Sequence, residues 1–168
     1  MDIVVSRAGD GYAADWGAGA RRCAVGRAGI AEKQREGDGV TPLGRWPLRQ
    51  VLFRADRISA PRTTLQLDPI EPDQAWCDVP GDPNYNRMVR LPYPSIDERL
   101  WRDDSLYDLI VVVGYNDSPP ISGKGSAIFL HLARPDFSPT AGCVATARGD
   151  LYEAVEQLRP GDCLIVRE

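Results

Sequence analysis

Ser126 to Ala145 reads SAIFLHLARPDFSPTAGCVA, and the rest of the chain is understood from this stretch outward. Ala127 to Leu132 is an almost unbroken run of strand-forming apolar residues. It carries His131, the chain's only histidine, to the rim of a sheet on a rigid element. A loop with two prolines then leads to Ala141-Gly142-Cys143. Gly142 permits a sharp turn there, which allows the amides around Cys143 to point at a developing oxyanion. A free thiol titrates at about 8.5 and is mostly protonated at neutral pH, so a nearby imidazole is needed to take its proton. His131 and Cys143 therefore read as the base and nucleophile of thiol acyl transfer. The plain structural reading stands beside this one: a rim histidine with a satisfied hydrogen bond, and a cysteine packed as a small hydrophobe.

Upstream, Leu109 to Gly114 (LIVVVG) predicts a buried central strand that neighbours the strand of His131. Tyr115 and Asn116, at its end, are then placed to line a groove. Downstream, Leu151, Ala154, Val155 and Leu158 mark one face of a helix that Pro160-Gly161 ends, and Cys163 to Val166 predicts a closing strand. At the other end of the chain, Ile3 to Ser6 and Tyr12 to Trp16 flank a hairpin turn, and Arg22 to Gly26 gives a third strand. Arg45 to Arg54 is strand-like, with Trp46, Leu48, Val51 and Phe53 available for a core. On periodicity alone, the polar and glycine-punctuated Gly29 to Gly44 predicts a surface loop.

Ala55 to Arg99 is rich in Pro, Asp and Arg, and its recurring prolines exclude a long helix. An irregular stretch of that length predicts a lid or a substrate-binding wall. Its Arg62, Arg87 and Arg90, with Trp76, Tyr85 and Tyr93, either line a groove for a carboxylate-bearing ligand or pin the loop to the body. With one helix in view, the fold class is mainly β, and residues 1–168 are expected to form a single domain.

The net charge of −4 supplies no global basic field, which disfavours nucleic acid as a partner. No apolar window reaches the roughly 18 residues of a membrane span, and MDIVVSRAGDG lacks the basic and apolar parts of a secretion signal. Cys23, Cys77, Cys143 and Cys163 show no CxxC spacing and have one histidine to join them, which argues against a structural zinc site. A disulfide among Cys23, Cys77 and Cys163 and three buried thiols both remain open.

Three pieces, Glu36 to Trp46 (EGDGVTPLGRW), the strand-ending His131, and Thr140-Ala141-Gly142-Cys143, resemble the L,D-transpeptidase catalytic domain, also called the YkuD domain, in order and rough spacing. The resemblance covers most of the chain. It implies an L,D-transpeptidase-like β-sandwich with one helix after the catalytic cysteine and a long irregular substrate loop. It implies Cys143 as nucleophile, His131 as its base, Gly142 and Cys143 amides as oxyanion donors, Thr140 beside the substrate, and no metal or other cofactor. The implied partners are peptidoglycan stem peptides, donor and acceptor, and the implied location is the periplasm or cell envelope. The chain departs from the family's Ser/Thr-His-Gly-Cys pattern: Ala141 replaces the motif histidine, and Ala145 stands where Arg or Asn is expected. The arginines of the long loop are then expected to hold the donor. Hydrolysis of the same thioester, as a carboxypeptidase or amidase, and a catalytically silent wall-binding domain are the alternatives. A low-pKa thiolate at Cys143, alkylated far faster than the other three cysteines, would separate the enzyme from the silent domain.

Overall fold

The computed structural model describes residues 1–94 and 98–168, so part of the expected loop, 95–97, lies outside the described residues. The strands in chain order are β1 (Ile3–Ala8), β2 (Gly11–Asp15), β3 (Arg21–Ala24), β4 (Ile30–Ala31), β5 (Thr41–Pro42), β6 (Gly44–Phe53) and β7 (Gln66–Pro69). They continue as β8 (Gln74–Trp76), β9 (Met88–Arg90), β10 (Glu98–Arg99), β11 (Leu109–Val113), β12 (Phe129–Leu132) and β13 (Val144–Thr146). Helix α1 (Arg148–Gln157) and β14 (Cys163–Val166) complete the chain.

The expected hairpin is β1 with β2, and β3 extends it. The main sheet runs β11-β12-β13-β3-β2-β1-β14-β6-β7, and β11 pairs with β6 as well, so the order closes on itself. This arrangement is mainly β, as the sequence predicts, and is consistent with the β-sandwich that the resemblance implies. Alternation along the strands then sorts side chains to two faces. Leu109, Val111 and Val113 join Val51, Leu130, Val144 and the buried face of α1 in one core. Ile110 and Val112 face the other way, with Leu52, Phe129, Trp76, Tyr107 and Cys143. The helix therefore buries Leu151, Ala154 and Val155, three of the residues its spacing singled out, in the first core. Among the described residues no helix is long and apolar enough to cross a membrane.

Two expectations change. Gly29 to Gly44 is not a surface loop: β4 and β5 pair within it, Thr41 is fully buried, and the Lys33 side chain is 2% exposed. The stretch from Ala55 to Arg99 is not irregular throughout, because β10, β8 and β9 form a small antiparallel sheet around Ala75, Cys77 and Val89. Short strands interrupted by Pro and Asp carry too little periodicity to be read individually. All four cysteines are free and buried, which settles the disulfide question in favour of thiols.

Candidate active site

Strands β12 and β13 are parallel and in register at Leu130–Val144 and His131–Ala145. Cys143 precedes Val144, so it lies level with Phe129 on the same face as His131, and the two functional side chains are diagonal neighbours. Parallel neighbours need a crossover connection, and the proline-bearing loop from Ala133 to Cys143 is that connection. Both side chains line one cavity of about 310 Å³, with Lys33, Glu36, Asp78, Glu98, Arg102, Tyr107, Ser126, Arg134 and Thr140 among the other lining residues.

The turn before the nucleophile is clamped from two sides. Gly142 has φ of +146°, and a Cβ there would sit 3.0 Å from the Val40 carbonyl oxygen, so only glycine fits. The Thr140 hydroxyl donates to the Cys143 carbonyl at 2.6 Å and accepts from the Gly142 N–H at 3.1 Å. From the facing loop, the Thr41 hydroxyl donates to the Gly142 carbonyl at 2.8 Å and accepts from the Gly26 N–H at 2.8 Å. The Gly142 amide, expected as an oxyanion donor, is thus engaged by Thr140 in the resting site.

His131 has one tautomer open to it. Its Nδ1 lies 2.9 Å from the Leu132 carbonyl, which can only accept, so Nδ1 carries the proton and Nε2 keeps the lone pair. The Tyr107 ring packs edge-on to the imidazole, with centroids 5.3 Å apart. Burial pushes the His131 pKa down to about 4, so the ring is neutral at physiological pH. The Cys143 Sγ donates to the Ala127 carbonyl at 3.2 Å and accepts from the Phe129 N–H at 3.3 Å. Burial, helped by the Glu98 carboxylate, pushes this thiol up to about 12. The resting pair is therefore neutral thiol and neutral imidazole. The low-pKa thiolate that the sequence reading took as the mark of the enzyme is not the resting state here, because burial beside a carboxylate disfavours the anion, so the alkylation rate no longer separates an enzyme from a silent domain and turnover has to.

Asp38 is the hub of the Gly37-Asp38-Gly39 loop. Its carboxylate accepts from Lys33 at 2.6 Å and from the backbone of Gln34, Arg35 and Val40. Burial opposes its ionisation, but these bonds outweigh it and hold the pKa at about 2. Lys33 thereby enters the cavity already paired.

The other expected site residues divide. Thr140 lines the cavity. Tyr115 lies in the first core, with its hydroxyl donating to the Lys124 carbonyl at 2.7 Å, and Asn116 ties the same loop through Ile121 and Gly125. They brace the segment that leads to Ala127 and do not line the cavity. Arg62 is 91% exposed and faces Glu156 of α1, away from the nucleophile. Arg87 and Arg90 line a separate groove of about 770 Å³ with Trp76, Val112 and Gln74, and Arg90 pairs with Asp73 at 2.6 Å. Among the described residues of the long loop, the cavity receives carboxylates, Asp78 and Glu98, and no arginine. Glu98, Tyr107, Arg102 and Arg134 were not singled out from the sequence. A charged residue among many others carries no signal until folding brings it to the nucleophile. Among the described residues no three His, Cys, Asp or Glu side chains form a metal-binding group.

The family model of the L,D-transpeptidase catalytic domain, YkuD, matches residues 3–166. Neither the curated proteins nor the solved structures gave a match.

Proposed function

The chain belongs to the family of L,D-transpeptidase catalytic domains, and from that premise we propose that it transfers acyl groups between peptidoglycan stem peptides through a thioester on Cys143. The observation that carries the reading is the His131 tautomer: Nδ1–H is held by the Leu132 carbonyl, which leaves Nε2 as a base in the cavity of the thiol.

The thiol leaves the Ala127 carbonyl and gives its proton to His131 Nε2 as sulfur attacks the donor carbonyl of a diaminopimelate-containing stem. Transfer in step with attack avoids a free thiolate, whose formation burial makes costly. The Phe129 N–H, already on the sulfur, supports the charge as it develops. The Cys143 amide, and the Gly142 amide once it is released from Thr140, face the oxyanion. The imidazolium then protonates the leaving amine, the C–N bond breaks, and the thioester remains. An acceptor amine completes the reaction by forming a new C–N bond and breaking the C–S bond.

Arg134 lines the cavity with His131, and among the described residues its side chain makes no hydrogen bond or ion pair, feeling the Asp104 and Asp136 carboxylates only at longer range, so it is the guanidinium we assign to a donor carboxylate. Arg87 and Arg90 would touch the wall polymer further out, in the larger groove. A wall substrate implies work in the cell envelope.

Mass spectrometry of muropeptides after isolated wall is incubated with the protein tests the reading. New cross-linked species are expected with the parent and none with Cys143→Ala, whose fold should survive the loss of one sulfur at about 1–2 kcal/mol. Shortened stems without cross-links would place the thioester's fate with water, and an unchanged wall would overturn the proposal.

A further inference from the structure

Two carboxylates lining the cavity beside the nucleophile, Glu36 and Glu98, have no ion pair among the described residues; Glu36 is held by the Tyr85 and Ser126 hydroxyls and the Gly37 N–H, whereas Glu98 accepts from a single hydroxyl and is the less compensated of the two. Glu98 Oε1 accepts from the neutral Tyr107 hydroxyl at 2.6 Å, and among the described residues it has no ion pair. The nearest guanidinium, Arg102, is bound by both oxygens of Asp104, at 2.8 and 2.6 Å. Lys33 is likewise committed to Asp38. A partly buried carboxylate left this way is costly, and a cation brought by a ligand removes the cost. Burial raises the Glu98 pKa, which makes its carboxylate a better proton acceptor than an exposed one. The second half of acyl transfer brings such a cation, because a primary amine is an ammonium at neutral pH and cannot attack until it loses a proton.

We propose that Glu98 receives the acceptor: its carboxylate binds the incoming primary ammonium beside the Cys143 thioester and takes the proton that frees the nitrogen lone pair. This rests on the thioester reading above and assigns that reaction's acceptor specificity. The proton count closes. The ammonium gives one proton to Glu98, which passes it to solvent. As the C–N bond forms and the C–S bond breaks, the nitrogen gives a second proton to neutral His131 Nε2, which returns it to the departing thiolate. Tyr107 positions both ends, with its hydroxyl on Glu98 and its ring against His131.

The test sets two acceptors against each other on the acyl-enzyme formed from isolated muropeptides: free diaminopimelic acid, an ammonium, and hydroxylamine, which is neutral at pH 7.5. Parent and Glu98→Gln proteins are compared by the ratio of amide to hydroxamate product, read by mass spectrometry. Glu98→Gln is expected to lower that ratio at least tenfold, with partial recovery in Glu98→Asp. Equal ratios in parent and Glu98→Gln would overturn the role of Glu98 while leaving the thioester intact. Absence of a Cys143 adduct in the parent would remove the thioester reading and this inference together.

Discussion

Replacing Thr41 by valine keeps the shape of the side chain and exchanges its hydroxyl for a methyl. That hydroxyl is fully buried and bridges residues far apart in sequence, accepting from the Gly26 N–H and donating to the Gly142 carbonyl, each at 2.8 Å. The space cannot adjust by much, since a Cβ on Gly26 would meet the Gly39 carbonyl oxygen at 2.1 Å. Valine leaves one donor and one acceptor without partners. Each costs about 1–3 kcal/mol, and the extra buried methyl returns about 0.8, so a net loss of about 1–5 kcal/mol is expected. For a domain of this size that is a fall in Tm of roughly 2–20 °C. The assay is thermal unfolding of Thr41→Val and Thr41→Ser against the parent, followed by circular dichroism. Serine keeps the hydroxyl and should lie well above valine. A Thr41→Val protein that melts within about 2 °C of the parent would refute the clamp.

The neutral thiol-imidazole pair predicts that alkylation of Cys143 by iodoacetamide is slow at pH 7 and rises about tenfold per pH unit up to pH 10, because the thiolate fraction grows that way below a pKa of about 12. A rate that levels off near neutral pH would mean an ion pair with an imidazolium instead. For substrate contacts, Arg134→Ala is expected to lower kcat/KM for the donor by about 10- to 100-fold, as loss of a charge-assisted bond does, while Arg62→Ala leaves muropeptide turnover at the parent level. Equal effects of the two substitutions would remove the assignment of the donor carboxylate to Arg134.

The strand that carries the base and its neighbour were legible because Ala127 to Leu132 and Leu109 to Gly114 are long apolar runs, buried on both faces, whereas the three-residue β13 that follows the nucleophile was not. The helix was legible for a similar reason, since Leu151, Ala154, Val155 and Leu158 keep a helical spacing. What escaped is polarity that folding buries. Lys33, Asp38 and Thr41 look like solvent residues in the sequence, yet their partners are each other or the backbone across the nucleophile turn. Periodicity reports which face is apolar and says nothing of a polar loop folded inward to meet its own hydrogen bonds. The arginines of the long loop drew attention by residue type, but a guanidinium's position is set by strand register. That register sends Arg87 and Arg90 to a separate groove and brings Glu98 to the cavity.

Closure of the main sheet has a consequence for the order of events as the chain folds. Strand β14 pairs with β1 through Ile3 and Leu164, and with β6 through Trp46 and Leu164, so two edges stay open until the last strand arrives. Strand β13 likewise docks between β12 and β3, segments drawn from opposite ends of the chain. Pairings so distant in sequence form late, on a timescale of roughly milliseconds to seconds. Until they do, the Cys143 turn has no clamp from Thr41 behind it and no closed sheet around it. The nascent chain therefore carries a chemically ordinary thiol, and the nucleophile comes into being with the closing of the sheet.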